Sequence, residues 1–231
     1  IKGEWCIFVD ADDFFAVNTF EVFDKHVECN IDYINFAISF YNINEDKYDY
    51  NPPSFSNQSV LRFLKDATIT NCLYFKLRNT VCYNKLVKAS FLREKSIRFE
   101  EVPVNNDVFY ALQVGLLSKY YKVIKECLYH KLIVNSSITN RKRDIHREYL
   151  FFIQAIKRNG LSAMLGLYNY PFYRSEFLYI PHLIKKRGVS DTLRFFKYRW
   201  QHNAEVKEAY DVYRNKFNSL TRVDIENMVN Y

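Results

Sequence analysis

The sequence predicts an α/β domain followed by a helical region, and three observations carry that prediction. Apolar runs rich in β-branched and aromatic residues alternate with stretches of helical periodicity as far as Val134. From Asp144 onward the pattern changes to long helices. A hydrophobic fraction of 48% over 231 residues supplies enough apolar surface for a true core. The change of character sets a boundary near 140–144, with one domain over 1–142 and a helical extension over 143–231.

The elements follow in order. Glu4 to Val9 reads as a buried strand, and Phe15 to about Cys29 as a helix with Val17, Phe20, Val22 and Phe23 on overlapping faces. "YINFAISFY", Tyr33 to Tyr41, is a second strand by composition. A polar turn ends at Pro52 and Pro53, and Ser56 opens a helix with Val60, Leu61, Phe63 and Leu64 as its apolar positions. Val81 to Val87 reads as a strand. Ser90 is placed to cap a short helix over Phe91 to Lys95, and Asn106 or Asp107 opens a helix through Leu117. Lys122 to Val134 is strand-like. In the last region helices run from Asp144 to about Arg158, from about Ser162, and from Ser190 to Val206, with Asn159-Gly160 as a stop signal.

Composition narrows the function classes. Five scattered cysteines without a C-x-x-C pair point to reduced thiols in a cytosol rather than to zinc or a disulfide framework. No run approaches the roughly 18 apolar residues that span a bilayer, and the first residues lack a signal-peptide pattern, so a cytoplasmic location is expected. Charge is divided unevenly, with 12 Lys and Arg against 16 Asp and Glu in 1–115, but 21 against 10 in 116–231. The basic half shows neither a recognition helix nor an aromatic single-strand platform, so nucleic acid is not an expected partner. "IKKRGVSDTLRFFKYRWQH" could instead lie on the inner face of an anionic membrane as a peripheral contact. Val189, Leu193, Phe196 and Trp200 recur in it at helical spacing, which favours burial in a core.

The chemistry is concentrated in "CIFVDADDFF", Cys6 to Phe15, where four apolar residues run into three carboxylates. Like charges at a strand end repel and are costly to desolvate. Ligands in open α/β sheets bind beyond the carboxyl ends of strands, and hard divalent cations take carboxylate oxygens while bridging to phosphates. Asp10 and Asp12 share one side of an extended segment, and Asp13 can cap the following helix. A solvated acidic turn is the alternative, because short D-x-D matches arise by chance.

"KGEWCIFVDADD" resembles the D-x-D segment of family 2 glycosyltransferases. "VCYNKLVKASFLREKSIRF" is similar to that family's Asn-Lys-Leu strand and short helix, and "RFEEVPVNNDVFYALQVGLLSKYYKVIKECLYHKLIVNSSITN" to its later block. The three blocks stand in the family's order over roughly residues 2 to 158. The resemblance implies a partial GT-A fold, a Rossmann-like mixed sheet with flanking helices. It also implies inverting transfer of a sugar from a nucleotide-diphosphate sugar, a UDP-sugar foremost, to a saccharide or lipid-linked saccharide acceptor in bacterial surface polysaccharide synthesis. On the same ground Asp12 meets the metal, Mn²⁺ or Mg²⁺, with Asp10 on the nucleotide-sugar side, and Asp107 is the base. Asn84 and Lys85 match the Asn-Lys pair, with Lys85 reaching for acceptor or donor phosphates or standing on the surface at a strand end.

Smaller expectations surround these. His130, after the Leu-Tyr strand end, could complete the metal shell or line the diphosphate pocket, although most lone histidines do neither. Ser136, Ser137 and Thr139, with Arg141, Lys142 and Arg143 behind them, could close as a loop on a diphosphate or form a solvated basic turn. The chain departs from the family at Asn106-Asp107, where Glu-Asp is usual, and in starting just before the D-x-D strand. That start implies the C-terminal portion of a transferase. The competing expectation is a non-catalytic remnant that acts only as a binding or structural fragment.

Overall fold

The structure is a computed structural model that describes residues 2–50, 55–133, 144–166 and 176–220, with 224 and 227. These fall into two compact units, one built from 2–50, 55–101, 106–133 and 227, the other from 102–105 and the described residues of 144–224.

The first unit is organised by two long strands, β3 (Tyr33–Asn42) and β6 (Tyr121–Ile133), which run parallel from Tyr33 opposite Tyr121 to Asn42 opposite Ile133. The register slips twice, on either side of Ala37, which stands opposite Cys127. Asp32 sets the start of the pair, because one carboxylate oxygen accepts the backbone N–H groups of both Lys119 (2.7 Å) and Tyr120 (3.0 Å). Shorter strands complete a mixed sheet. β1 (Trp5–Cys6) pairs with β5 (Lys85–Lys88), β5 with β3, β2 (Phe14–Phe15) with β6, and β4 (Lys47–Asp49) forms a hairpin with β3, all antiparallel. The sheet order is β1-β5-β3-β6-β2 with β4 on the side.

Residues 33–39 of β3 are buried throughout, as expected for a strand covered on both faces. Ile34, Phe36 and Ile38 join Leu86, Ile124, Leu128 and Tyr129 in a core with Val22 and Phe23 of α1 (Thr19–His26). The alternate residues meet helices α2 (Phe55–Lys65) and α3 (Ile69–Arg78): Tyr33 stacks on Tyr121 at 5.5 Å, and Phe75 of α3 lies 6.1 Å from the same ring. α4 (Ala89–Glu94) and α5 (Asn106–Leu117) complete the unit.

Several local readings change. The first strand is two residues long rather than six, since the segment after Cys6 leaves the sheet to form the acidic loop. α1 starts at Thr19, because Phe14 and Phe15 pair with β6 instead. α3 was not marked by periodicity at all. Its N-cap is Thr68, whose hydroxyl accepts from Asn71 N–H, and every residue from Cys72 to Leu77 is buried, which erases the polar face that announces a helix. The cap of α4 is Lys88, not Ser90.

The second unit is helical: α6 (Ile145–Met164), α7 (Glu176–Gln201) and α8 (Asn203–Lys216). Asp144 caps α6 through Arg147 N–H at 2.6 Å. Its core joins Tyr149, Phe152 and Ile156 of α6 to Leu183 and Phe195 of α7 and Val206 and Ala209 of α8. Glu148, 1% exposed, is held by Arg187 (3.3 Å) and Lys186 (3.5 Å), so the buried carboxylate is paired.

Asn159-Gly160 is not a stop. α6 runs straight through it, and Gly160 instead makes room for a close approach of α8: a Cβ there would lie 1.7 Å from the Tyr210 carbonyl oxygen. α7 bends at Gly188, whose φ of 82° suits glycine. Beyond the bend, the expected burial of the 189/193/196/200 stripe is overturned. Val189, Leu193 and Trp200 are 61%, 66% and 76% exposed, and Phe195 is the residue that enters the core. The segment carries two apolar faces, and packing against α6 selects the other one.

Gly160→Ala should therefore destabilise the protein by about 1–3 kcal/mol or more, because backbone, not a flexible side chain, must yield. Urea unfolding followed by far-UV circular dichroism checks this, and an unchanged midpoint would refute the close α6–α8 approach.

Candidate active site

The acidic loop, residues 7–13, connects β1 to β2, and three contacts to β6 shape it. Asp13 N–H donates to the Asp10 carbonyl at 3.2 Å, closing a turn. The Asp13 carboxylate, only 1% exposed, accepts the Tyr129 hydroxyl at 2.6 Å and the Leu132 backbone N–H at 2.8 Å. Tyr129 in turn accepts from Asp10 N–H at 3.1 Å. Just beyond, Ala16 N–H and the Thr19 hydroxyl both donate to the Leu128 carbonyl, so the chain that follows the loop is fastened to the same strand.

With Asp13 committed inward, Asp10 and Asp12 are left exposed. The three carboxylates offer oxygens within 4.8 Å of one another, and they are the one such group of three or more metal-capable side chains among the described residues. Lys131 lies against them, with its ammonium 3.0 Å from Asp10 and 3.5 Å from Asp13. Burial works against the charged ammonium, but the hydrogen bond to Asp10 and the surrounding aspartates outweigh it and raise Lys131 above its ordinary value. The donor set fits a hard divalent cation: two exposed carboxylates with hard oxygens and room for water or phosphate oxygens, braced by a third.

Tyr83 connects this loop to Asp107. Its ring stacks on Tyr129 at 5.0 Å, and the Lys131 ammonium lies 4.9 Å from its centre. Burial raises the Tyr83 phenol well above its ordinary value, and Asp107, Asp10 and Asp13 all push in the same direction. Asp107 sits in the first turn of α5. Burial raises its carboxyl above the usual carboxylate range, its own backbone N–H and the charge of Lys85 lower it, Asp10 raises it and Lys131 lowers it. Asp10, Asp13, Asp107 and Lys131 therefore belong to one electrostatic neighbourhood around Tyr83.

Other expected residues stand elsewhere. Asn84 and Lys85 are 0% and 2% exposed, so Lys85 is neither at the surface nor reaching out for a phosphate. Its ammonium donates to Asn79 O (2.9 Å), Asn79 Oδ1 (3.1 Å), Val81 O (2.6 Å) and Asn84 Oδ1 (3.0 Å). Asn35 completes the network, accepting from the Asn79 amide and donating to the Asn84 carbonyl. Burial pushes Lys85 down to about 7, although Cys82 and Asp107 oppose the shift. The pair braces β3 and β5 from inside the sheet.

His130 is not in the carboxylate group. Alternation along β6 puts Tyr129 and Lys131 on one face and His130 on the other. There its Nδ1 lies 2.6 Å from Ser39 Oγ, and the rings of Tyr48 and Phe14 lie 5.0 Å and 5.1 Å away. Ser136 and Arg141 lie outside the described residues. Tyr129, Lys131 and Tyr83 were missed, and alternation in "LYHK" was the one signal that could have found the first two.

No known family and no curated protein matches the chain by sequence. Solved structures do. A crystal structure of S. aureus TarS 1–349 in complex with UDP-GlcNAc aligns over 100% of this chain and 66% of its own length, with 14% identity and a TM-score of 0.53. A further crystal structure of S. aureus TarS 1–349 aligns over 88% of this chain and 68% of that one, with 13% identity and a TM-score of 0.45. The first match shows the fold: a mixed Rossmann-like sheet with flanking helices. The chain spans just under two thirds of that structure's length.

Removing the tie at Asp13 should cost stability. Tyr129→Phe leaves a buried carboxylate short of a donor and should lose about 1–3 kcal/mol in urea unfolding, with no change in m-value. An unchanged midpoint would show that the tie carries nothing.

Burial also holds His130 below its ordinary value of 6.5. Above that pH both folded and unfolded states are neutral at this residue and its full contribution is present. As pH falls below 6.5 the unfolded chain binds a proton that the folded site resists, so stability declines. The unfolding midpoint measured between pH 5 and 8 should fall on the acid side, and less steeply in His130→Gln.

Proposed function

We propose that this chain is part of an inverting glycosyltransferase of family 2 and the GT-A fold, transferring a sugar from a UDP-sugar to a hydroxyl of a saccharide or lipid-linked saccharide. Bacterial surface polysaccharide synthesis is the setting that its motifs suggest. The observation that carries this reading is the carboxylate group of Asp10, Asp12 and Asp13, whose oxygens lie within 4.8 Å of one another, with Asp107 acting on the same Tyr83 phenol as Asp10 and Asp13. A transferase needs both functions, a base for the acceptor and carboxylates that hold a cation against the donor diphosphate.

Asp107 takes the proton of the acceptor hydroxyl as its oxygen attacks the anomeric carbon from the face opposite the nucleotide. The C–O bond to UDP breaks as the new one forms. A carboxyl raised by burial is a better base than an ordinary aspartate, provided the pH stays above its shifted value. Asp12 and Asp10 would hold Mn²⁺ or Mg²⁺, which supplies positive charge to the departing diphosphate. Asp13 braces the loop through Tyr129, and Lys131 adds a fixed positive charge beside Asp10.

Calorimetric titration of UDP into the chain with Mn²⁺ present should show metal-dependent binding that Asp12→Ala abolishes. Turnover of UDP-sugars should rise with pH through the raised Asp107 value, and Asp107→Asn should lower it by about 10²–10⁴ while sparing UDP binding. Absence of metal-dependent UDP binding would reject the transferase reading for this chain and favour a non-catalytic binding fragment.

A further inference from the structure

Beyond Gly188, α7 presents an apolar face to solvent that its own unit does not use. Phe195 is 1% exposed and packs against Phe152, whereas Val189, Leu193 and Trp200 stand 61%, 66% and 76% exposed. Phe196 completes their row from a partly buried position. At 3.6 residues per turn these four side chains fall within about 60° of one another, a continuous stripe about three turns long. Solitary exposed apolar residues are ordinary, but an aligned row ending in tryptophan is not.

Charge is arranged around this stripe. Between Ile184 and Gln201 there are six Lys and Arg and one acidic residue. Lys197 borders the stripe, Lys185 and Lys186 precede the bend, and all three are exposed. Asp191, the acidic residue, lies on the opposite side of the helix, where Arg194 (3.8 Å) and Arg187 (4.0 Å) engage it. Glu148 occupies Arg187 and Lys186. Lys185 and Lys197 have no ion-pair partner among the described residues.

We infer that this face of α7 docks on an anionic phospholipid surface, lying in the plane of the interface with Val189, Leu193, Phe196 and Trp200 against the acyl boundary. Charge complementarity selects that occupant. Exposed lysines beside an apolar stripe suit lipid phosphates, and tryptophan is the side chain that settles at headgroup depth. A second copy fits less well, because a two-fold pairing of this face sets its own basic borders against each other. No helix of the described residues is long and apolar enough to cross a membrane, so the mode is lying on the surface rather than spanning it. This inference does not rest on the transferase reading.

The chain has two tryptophans, so Trp5→Phe leaves Trp200 as the only reporter. In that background, vesicles of phosphatidylcholine with about one third phosphatidylglycerol should shift Trp200 emission to the blue and sediment the protein, less so at high salt. Phosphatidylcholine alone should do neither. Leu193→Glu and, separately, Lys185→Glu with Lys197→Glu should each lower partitioning about tenfold or more while far-UV circular dichroism stays native. The inference is overturned by no preference for anionic vesicles, by partitioning that survives both variants, or by concentration-dependent self-association that Leu193→Glu abolishes. That last result would give the face to a second copy.

Discussion

The site depends on one buried carboxylate. Asp13 has given up water to accept two hydrogen bonds from β6, the Tyr129 hydroxyl and the Leu132 N–H. Burying a charge is unfavourable unless it is paired and bonded, so the loop holds its shape only because β6 brings those donors to it. Once Asp13 is turned inward, the turn closed on the Asp10 carbonyl leaves Asp10 and Asp12 outward. A cluster of like charges is thus built by satisfying one member and exposing two. Lys131 lowers the remaining repulsion, although an ion pair as exposed as Lys131–Asp10 contributes little to stability on its own.

A second polar device lies deeper. Lys85 sits among Asn79, Asn84 and the Val81 carbonyl, with Asn35 closing the network between β3 and β5. Lys76 repeats the idea on the helical side of the sheet, donating to the Gly115 carbonyl at 2.6 Å with its ammonium 4.1 Å from the Tyr121 ring centre. Burial pushes it down to about 8. Buried ammonium groups satisfied this way fix which elements meet, because no other register supplies the same oxygens. The motif that reads as a phosphate-seeking Asn-Lys pair is, in this fold, part of the frame beneath Tyr83 and Asp107.

In the second unit the constraint is the close approach of α6 and α8 at Gly160. Its consequence reaches α7. With α6 and α8 sharing a tight seam, α7 contributes Leu183 and Phe195 to the core from either side of the Gly188 bend. Only one of its two apolar faces can be turned that way, and the other remains in water with basic residues around it.

Much of the architecture was legible in sequence because it follows from local pattern. The length and composition of β3, the start of α5 at Asn106, the long β6 and the helical tail are all written in periodicity and capping residues. So was the grouping of the three aspartates, since adjacency along the chain guarantees adjacency in space. What tertiary structure decided were the matters that depend on partners distant in sequence. Which aspartate is buried was settled by Tyr129 and Leu132, more than 110 positions away. Lys85 went inside because Asn35, more than 40 positions away on β3, ties down Asn79 and Asn84 where their oxygens surround it, and His130 left the carboxylates for Ser39 on the neighbouring β3. Gly160 served the close approach of the Tyr210 backbone rather than a helix end, and α7 buried Phe195 rather than Leu193. In each case the local pattern admitted two outcomes, and hydrogen-bond satisfaction or close packing against a remote element selected one.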